Sequence, residues 1–165
     1  MAVTTILLAS DGGPGALRAA DWVRAQWAGT DAEVIVAVAE VPLPGGAYSL
    51  TIVPEGGADE AIYLAPETAS ELAVAALRET ERHLAGMARV RGTIWRGKPV
   101  PAILTAIRQL RPGLVVVGRR NLSRGERLLL GSVSAGVVAH SPVPVLVVPP
   151  AVAEAVMEEP AAAGE

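Results

Sequence analysis

The chain has 165 residues, the size of one ordinary domain, and its 51% hydrophobic content without a single Phe makes the expected core aliphatic. It has no cysteine, which excludes disulfides, thiolate metal sites and cysteine nucleophiles. Residues 1–149 carry 13 acids against 14 bases, too even a balance for bulk nucleic-acid binding, whereas residues 150–165 carry only acids (Glu154, Glu158, Glu159 and Glu165).

Residues 3–9, VTTILLA, read as a first strand. Asp11-Gly12-Gly13-Pro14 then turns into a helix with Leu17, Ala20, Val23 and Trp27 on one face, closed by Gly29-Thr30-Asp31. Val34–Val38 is a second strand. Residues 40–65 are punctuated by Pro42, Pro44-Gly45-Gly46, Pro54 and Gly56-Gly57 and show little periodicity. A connection that long is expected to be a lid, an interface element or a mobile loop. From Pro66 to about Ala88 an Ala-, Leu- and Glu-rich run predicts a long helix, with Pro66 and Glu67 suited to its first turn.

Val90–Arg96 is a short third strand. Gly97-Lys98-Pro99 leads into a helix with Val100, Ile103, Leu104, Ile107 and Leu110 on one face. Leu114–Val117 is an unbroken apolar run, as in a central parallel strand covered on both faces. A basic loop follows, then a helix over 131–140 and a last strand over Val143–Val148 with Pro142 and Pro144 at its start. Pro144 lacks a ladder donor, which marks an edge. Residues 150–165 read as an acidic, disordered tail outside a single domain of residues 1–149. Five strands alternating with four helices predict an α/β fold, an open doubly wound parallel sheet with helices on both faces. Ligands of such sheets bind beyond the carboxyl ends of the strands, where strand order reverses. Ala9-Ser10-Asp11, Val38 and Val117-Gly118 are expected to converge there.

Three motifs fall short. Gly92-Thr-Ile-Trp-Arg-Gly97-Lys98-Pro99 approaches a phosphate-binding P-loop, but its interior reads as a strand and Pro99 has neither hydroxyl nor N–H. Gly13-Pro14-Gly15 resembles the start of a dinucleotide fingerprint, but Arg18 stands at the third glycine and Asp11 places a negative charge nearby. Ser132-Val133-Ser134-Ala135-Gly136 lacks the first glycine of a hydrolase elbow. The two histidines, His83 and His140, fall inside predicted helices with no nucleophile to serve, and no His, Asp or Glu cluster has metal-ligand spacing. Catalytic machinery is therefore thin, and a dedicated enzyme is not expected.

The surviving feature is the unit VVVGRRNLSRGERLLLGSVSAGVVAHSPVPVLVV, residues 115–148. It places a strand, a phosphate-sized loop, a helix N-terminus and a second strand in succession, an arrangement that offers free amides and a positive helix end to an anion. Its Gly118-Arg-Arg-Asn121, nine intervening residues and Gly131-Ser132 resemble the universal stress protein family, whose nucleotide-binding members carry Gly-x2-Gly-x9-Gly-(Ser/Thr) at this point. The N-terminal ILLASDGG resembles the family's first strand with its polar-Asp end, so the likeness covers residues 3–38 and about 90–148.

The resemblance implies a five-stranded sheet of order 3-2-1-4-5 and a regulator that binds ATP or a related adenine nucleotide, with Mg²⁺ bridging the phosphates and at most weak ATPase activity. It implies that Asp11 meets the ribose. Ala9, Ser10 and Val38 line the adenine pocket through backbone and apolar contacts, and Val117 and Gly118 lie under the nucleoside. Asn121, Gly131, Ser132, Val133 and Ser134 surround the phosphates, which Arg119, Arg120, Arg124 and Arg127 border. It also implies a homodimer through the last strand. The absence of any apolar run of about 18–20 residues and of a secretory signal leads us to expect a cytoplasmic location and no membrane partner. Asn121 departs from the family glycine and leaves a second reading open, a nucleotide-free dimeric scaffold. The related adenine-nucleotide α-hydrolase-like enzymes carry a Ser-Gly-Gly-x-Asp-Ser loop, which Ser10-Asp11-Gly12-Gly13 does not reproduce.

Overall fold

The computed structural model describes residues 5–42, 48–52, 60–64, 66–119 and 131–149. In chain order the elements are β1 (Thr5–Ser10), α1 (Pro14–Trp27), β2 (Glu33–Pro42), β3 (Tyr48–Ile52), β4 (Glu60–Leu64) and α2 (Pro66–His83). They are followed by β5 (Arg89–Arg96), α3 (Pro99–Leu110), β6 (Leu114–Gly118), α4 (Ser132–His140) and β7 (Val145–Val148). The parallel strands run β5-β2-β1-β6-β7 across the sheet, which is the expected order 3-2-1-4-5 of the five strands read from the sequence.

The alternation of β1 separates two apolar layers. Ile6 and Leu8 pack with Ala19, Ala20 and Val23 of α1 and Ala73 of α2. Leu7 and Ala9 pack with Ile103, Ala106 and Ile107 of α3 and Val137 of α4. The buried hydrophobic residues among those described are all aliphatic, with Trp22, Trp27 and Trp95 packed at the margins, and Ile6, Leu7, Leu8, Val115 and Val116 are wholly buried. Covering both faces of a central parallel strand is why β1 and β6 read as unbroken apolar runs.

Residues 40–65 depart from the sequence reading. β2 continues to Pro42, and its tip pairs antiparallel with β3 (Val41 opposite Ser49), which pairs in turn with β4. The segment thus carries a two-stranded ribbon on the end of β2, seven strands in all among the described residues. The runs YSLTI and EAIYL alternate with the period of a strand, a signal masked by the dense Pro and Gly around them.

α2 is shorter than expected. It stops at His83, where the amides of Leu84 and Ala85 turn back onto the last helical carbonyls. Gly92 lies inside β5 because a Cβ there would come within 2.5 Å of Leu77 of α2.

Candidate functional site

Strand order reverses between β1 and β6, and Ala9, Ser10, Val38, Val117 and Gly118, singled out from the sequence, stand together at this crest. Ser10 stands opposite Val38 of β2, and Ala9 opposite both Ala37 and Val117. The sheet divides them by face. Ala9 and Val117 belong to the layer under α3 and α4, which Val133 also joins. Val38 is 2% exposed and belongs to the layer under α1 and α2. Ser10 is 8% exposed, and its Oγ lies 2.6 Å from Thr80 Oγ1. Thr80 donates to the Ala76 carbonyl at 2.8 Å, so Ser10 supplies the proton of the Ser10–Thr80 bond. The side chains of Ser10 and Val38 are thereby committed to the fold, and what they offer at the crest is backbone.

The β1–α1 turn satisfies its own donors. Gly12 N–H donates to Ser10 Oγ at 3.1 Å, and Gly13 N–H donates to the exposed carboxylate of Asp11 at 2.9 Å. Pro14 begins α1 and contributes no amide. Gly12 has φ +73, and its Cα sits where a Cβ would come within 2.8 Å of the Ala76 Cβ, so α2 closes directly over this turn. The start of α1 has a carboxylate beside it, and Pro14 leaves the amides of Gly15 and Ala16 ahead of its first intrahelical bond, from Leu17 N–H to the Gly13 carbonyl at 3.0 Å.

α4 starts with neither a proline nor a carboxylate in its first turn. Its first intrahelical bond joins Ala135 N–H to the Gly131 carbonyl at 2.8 Å. The amides of Ser132, Val133 and Ser134 precede it, and among the described residues no acceptor meets them. No side chain caps the helix. Ser134, 3% exposed, turns its Oγ–H onto the Gly131 carbonyl at 2.9 Å, while Ser132 is exposed. These amides carry the positive end of the helix dipole, and no carboxylate lies in the helix's first turn.

The two motif glycines differ physically. A Cβ on Gly118 would collide with the Gly15 carbonyl and come within 2.8 Å of Ala16 N, so the end of β6 and the first turn of α1 touch backbone to backbone. Gly131 has φ −57 and ψ 153, open to any residue, and among the described residues a Cβ would meet only Ser134 Oγ, at 3.6 Å. Gly118 is required by packing; Gly131 keeps open the space before the α4 amides. Arg120 and Asn121, together with Arg124 and Arg127, lie outside the described residues.

Among the described residues no group of three His, Asp or Glu side chains could hold a metal ion. His83 Nδ1 pairs with Asp21 at 3.0 Å across α1 and α2, and His140 Nδ1 faces the Gly136 carbonyl at 2.9 Å. Neither contacts a residue of the crest. No helix among the described residues is long and apolar enough to cross a membrane. Sequence reasoning gave no site role to Gly15, Thr80 or Arg18. Arg18 on α1 has Nε and Nη2 buried without a hydrogen-bond partner among the described residues.

Fold and crest together define an open doubly wound α/β protein with an uncapped helix start at its switch point. The chain belongs to the universal stress protein family, whose model matches residues 2–149. A universal stress protein from Thermus aquaticus is 35% identical over 144 residues, covering 87% of this chain and 97% of its own length. Among solved structures, a universal stress protein in complex with cAMP is 28% identical, with a TM-score of 0.64 over 90% of this chain and 98% of that one. UspA from Lactobacillus plantarum shares the fold at 21% identity, with a TM-score of 0.63 over 90% of this chain and 99% of its own.

Proposed function

We propose that this chain is a regulatory protein that binds ATP or a related adenine nucleotide at the crest between β1 and β6. The observation that carries the reading is the start of α4: three amides without acceptors among the described residues, no cap, and a glycine in front that leaves room. The relative at 28% identity was solved with cAMP, which supports an adenine nucleotide as the ligand class. The phosphates lie against the amides of Ser132, Val133 and Ser134, with Gly131, Arg120 and Asn121 beside them. The nucleoside rests on Val117 and Gly118, the base against Ala9 and the backbone of Ser10 and Val38. Asp11, exposed at the end of β1, accepts from the ribose hydroxyls.

Any Mg²⁺ would be held by the nucleotide's phosphates and would supply charge neutralisation there, since no cluster among the described residues could hold it. The chemistry of the site is recognition with at most slow hydrolysis. Residues 1–149 form the binding domain, with the acidic residues 150–165 outside it. The edge of β7 pairs with its equivalent in a second copy to form a homodimer.

Calorimetric titration of ATP with Mg²⁺ into the purified chain and into Gly131→Val tests this reading. Saturable binding by the unaltered chain, lost in a variant of unchanged thermal stability, is the expected result. Absence of binding by either protein overturns it in favour of the nucleotide-free scaffold.

A further inference from the structure

We propose that Arg18 is a phosphate-recognition residue of this site, its guanidinium held in reserve for a phosphate of the bound nucleotide. The inference rests on the nucleotide reading above. Four exposed arginines meet carboxylates: Arg24 with Asp21, Arg82 with Glu79, Arg91 with Glu33 and Arg96 with Glu40. Arg18 is placed differently. Its Nε and Nη2 are both buried, and neither meets an acceptor among the described residues. A guanidinium taken out of water without a partner is costly, and such groups persist where a ligand completes them.

Nε and Nη2 form one edge of the guanidinium. They are two parallel donors whose spacing matches two oxygens of a single phosphate. Arg18 lies one turn beyond Gly15, the residue whose carbonyl touches Gly118 at the end of β6. Side chains on a helix lean toward its N-terminus, so the Arg18 stem runs back over this turn, toward the point where the chain leaves β6 for the phosphate loop. The Gly12 and Gly13 amides in the turn beneath are used internally. Arg18 therefore adds a charged pair of donors from α1, facing a ligand whose other side is held by the α4 amides.

The test compares Arg18→Gln and Arg18→Lys with the unaltered chain, titrating ATP, AMP and adenosine and recording thermal unfolding without ligand. Arg18→Gln is expected to weaken ATP about 10- to 100-fold while adenosine changes less than about twofold, and to leave the ligand-free melting temperature equal or higher. Arg18→Lys, a point charge without the fork, recovers only part of the loss. Equal weakening of ATP and adenosine, or an unchanged ratio between them, overturns the proposal while leaving the nucleotide reading standing. No nucleotide binding by the unaltered chain removes both. If Arg18→Gln instead lowers ligand-free stability, and deletion of residues 150–165 abolishes that effect, the oxyanion is a carboxylate of the chain's own acidic end and the proposal falls.

Discussion

Gly118 at the end of β6 and Gly15 in the first turn of α1 are in direct backbone contact, with no room for a Cβ between them. This contact joins the two strand exits that flank the switch point. One exit carries Asp11, and the other leads to the residues that precede α4. The first glycine of the family motif is therefore fixed by helix–strand packing, whatever it also does for a ligand.

Gly118→Ala should consequently fail as a folding variant first. Its Cβ would meet backbone atoms on α1, which cannot rotate away, so relief requires moving the helix. We expect a loss of about 3 kcal/mol or more in urea denaturation. A variant as stable as the parent would mean that α1 does not sit against β6 in this way.

Asn121→Gly restores the family spacing. An asparagine held in a backbone conformation suited to glycine costs roughly 1 kcal/mol. ATP affinity should then rise about fivefold in calorimetry, with no change in adenosine affinity if the effect is confined to the phosphate end. A weaker complex would show that the Asn121 side chain contributes a contact of its own.

Thr80→Val tests the strap between β1 and α2. The substitution removes the acceptor of the Ser10 hydroxyl, which stays buried, and costs about 1–3 kcal/mol. Thermal melting of the double variant Ser10→Ala, Thr80→Val should return part of this loss, because both polar groups are then gone. Strict additivity of the two single losses would contradict the bond.

Val147→Pro probes the proposed dimer. The carbonyls of Pro144 and Val148 accept from β6, so the even-numbered residues of β7 face the sheet and the N–H of Val147 faces outward. Proline there removes an outward donor and spares the bonds to β6, at the cost of the Val147 side chain's packing against the α3–α4 layer. Light scattering should show a dimer for the unaltered chain and a monomer for the variant; a dimer in both places the contact elsewhere.

Much of the fold was readable from local pattern. Unbroken apolar runs at β1 and β6, helical spacing in α1 and α3, and Pro at the helix starts are properties of short windows, and they gave five parallel strands and four helices. The ribbon of β3 and β4 was missed because Pro and Gly around it outweighed two five-residue alternations. Those strands exist through pairing with the tip of β2, which no window contains.

The candidate site divides in the same way. The amino-acid order determined that a strand, a basic loop, Gly131 and a short helix follow one another, and hence that free amides begin α4, because helix ends leave donors unpaired by their own geometry. Which side chains remain to serve a ligand was decided only when the chain closed on itself. Packing turned the side chains of Ser10 and Val38 into the α1–α2 layer, set Gly118 against Gly15, and left Nε and Nη2 of Arg18 buried without a hydrogen-bond partner among the described residues. Such outcomes depend on contacts between residues far apart in sequence, and a linear reading contains no distances.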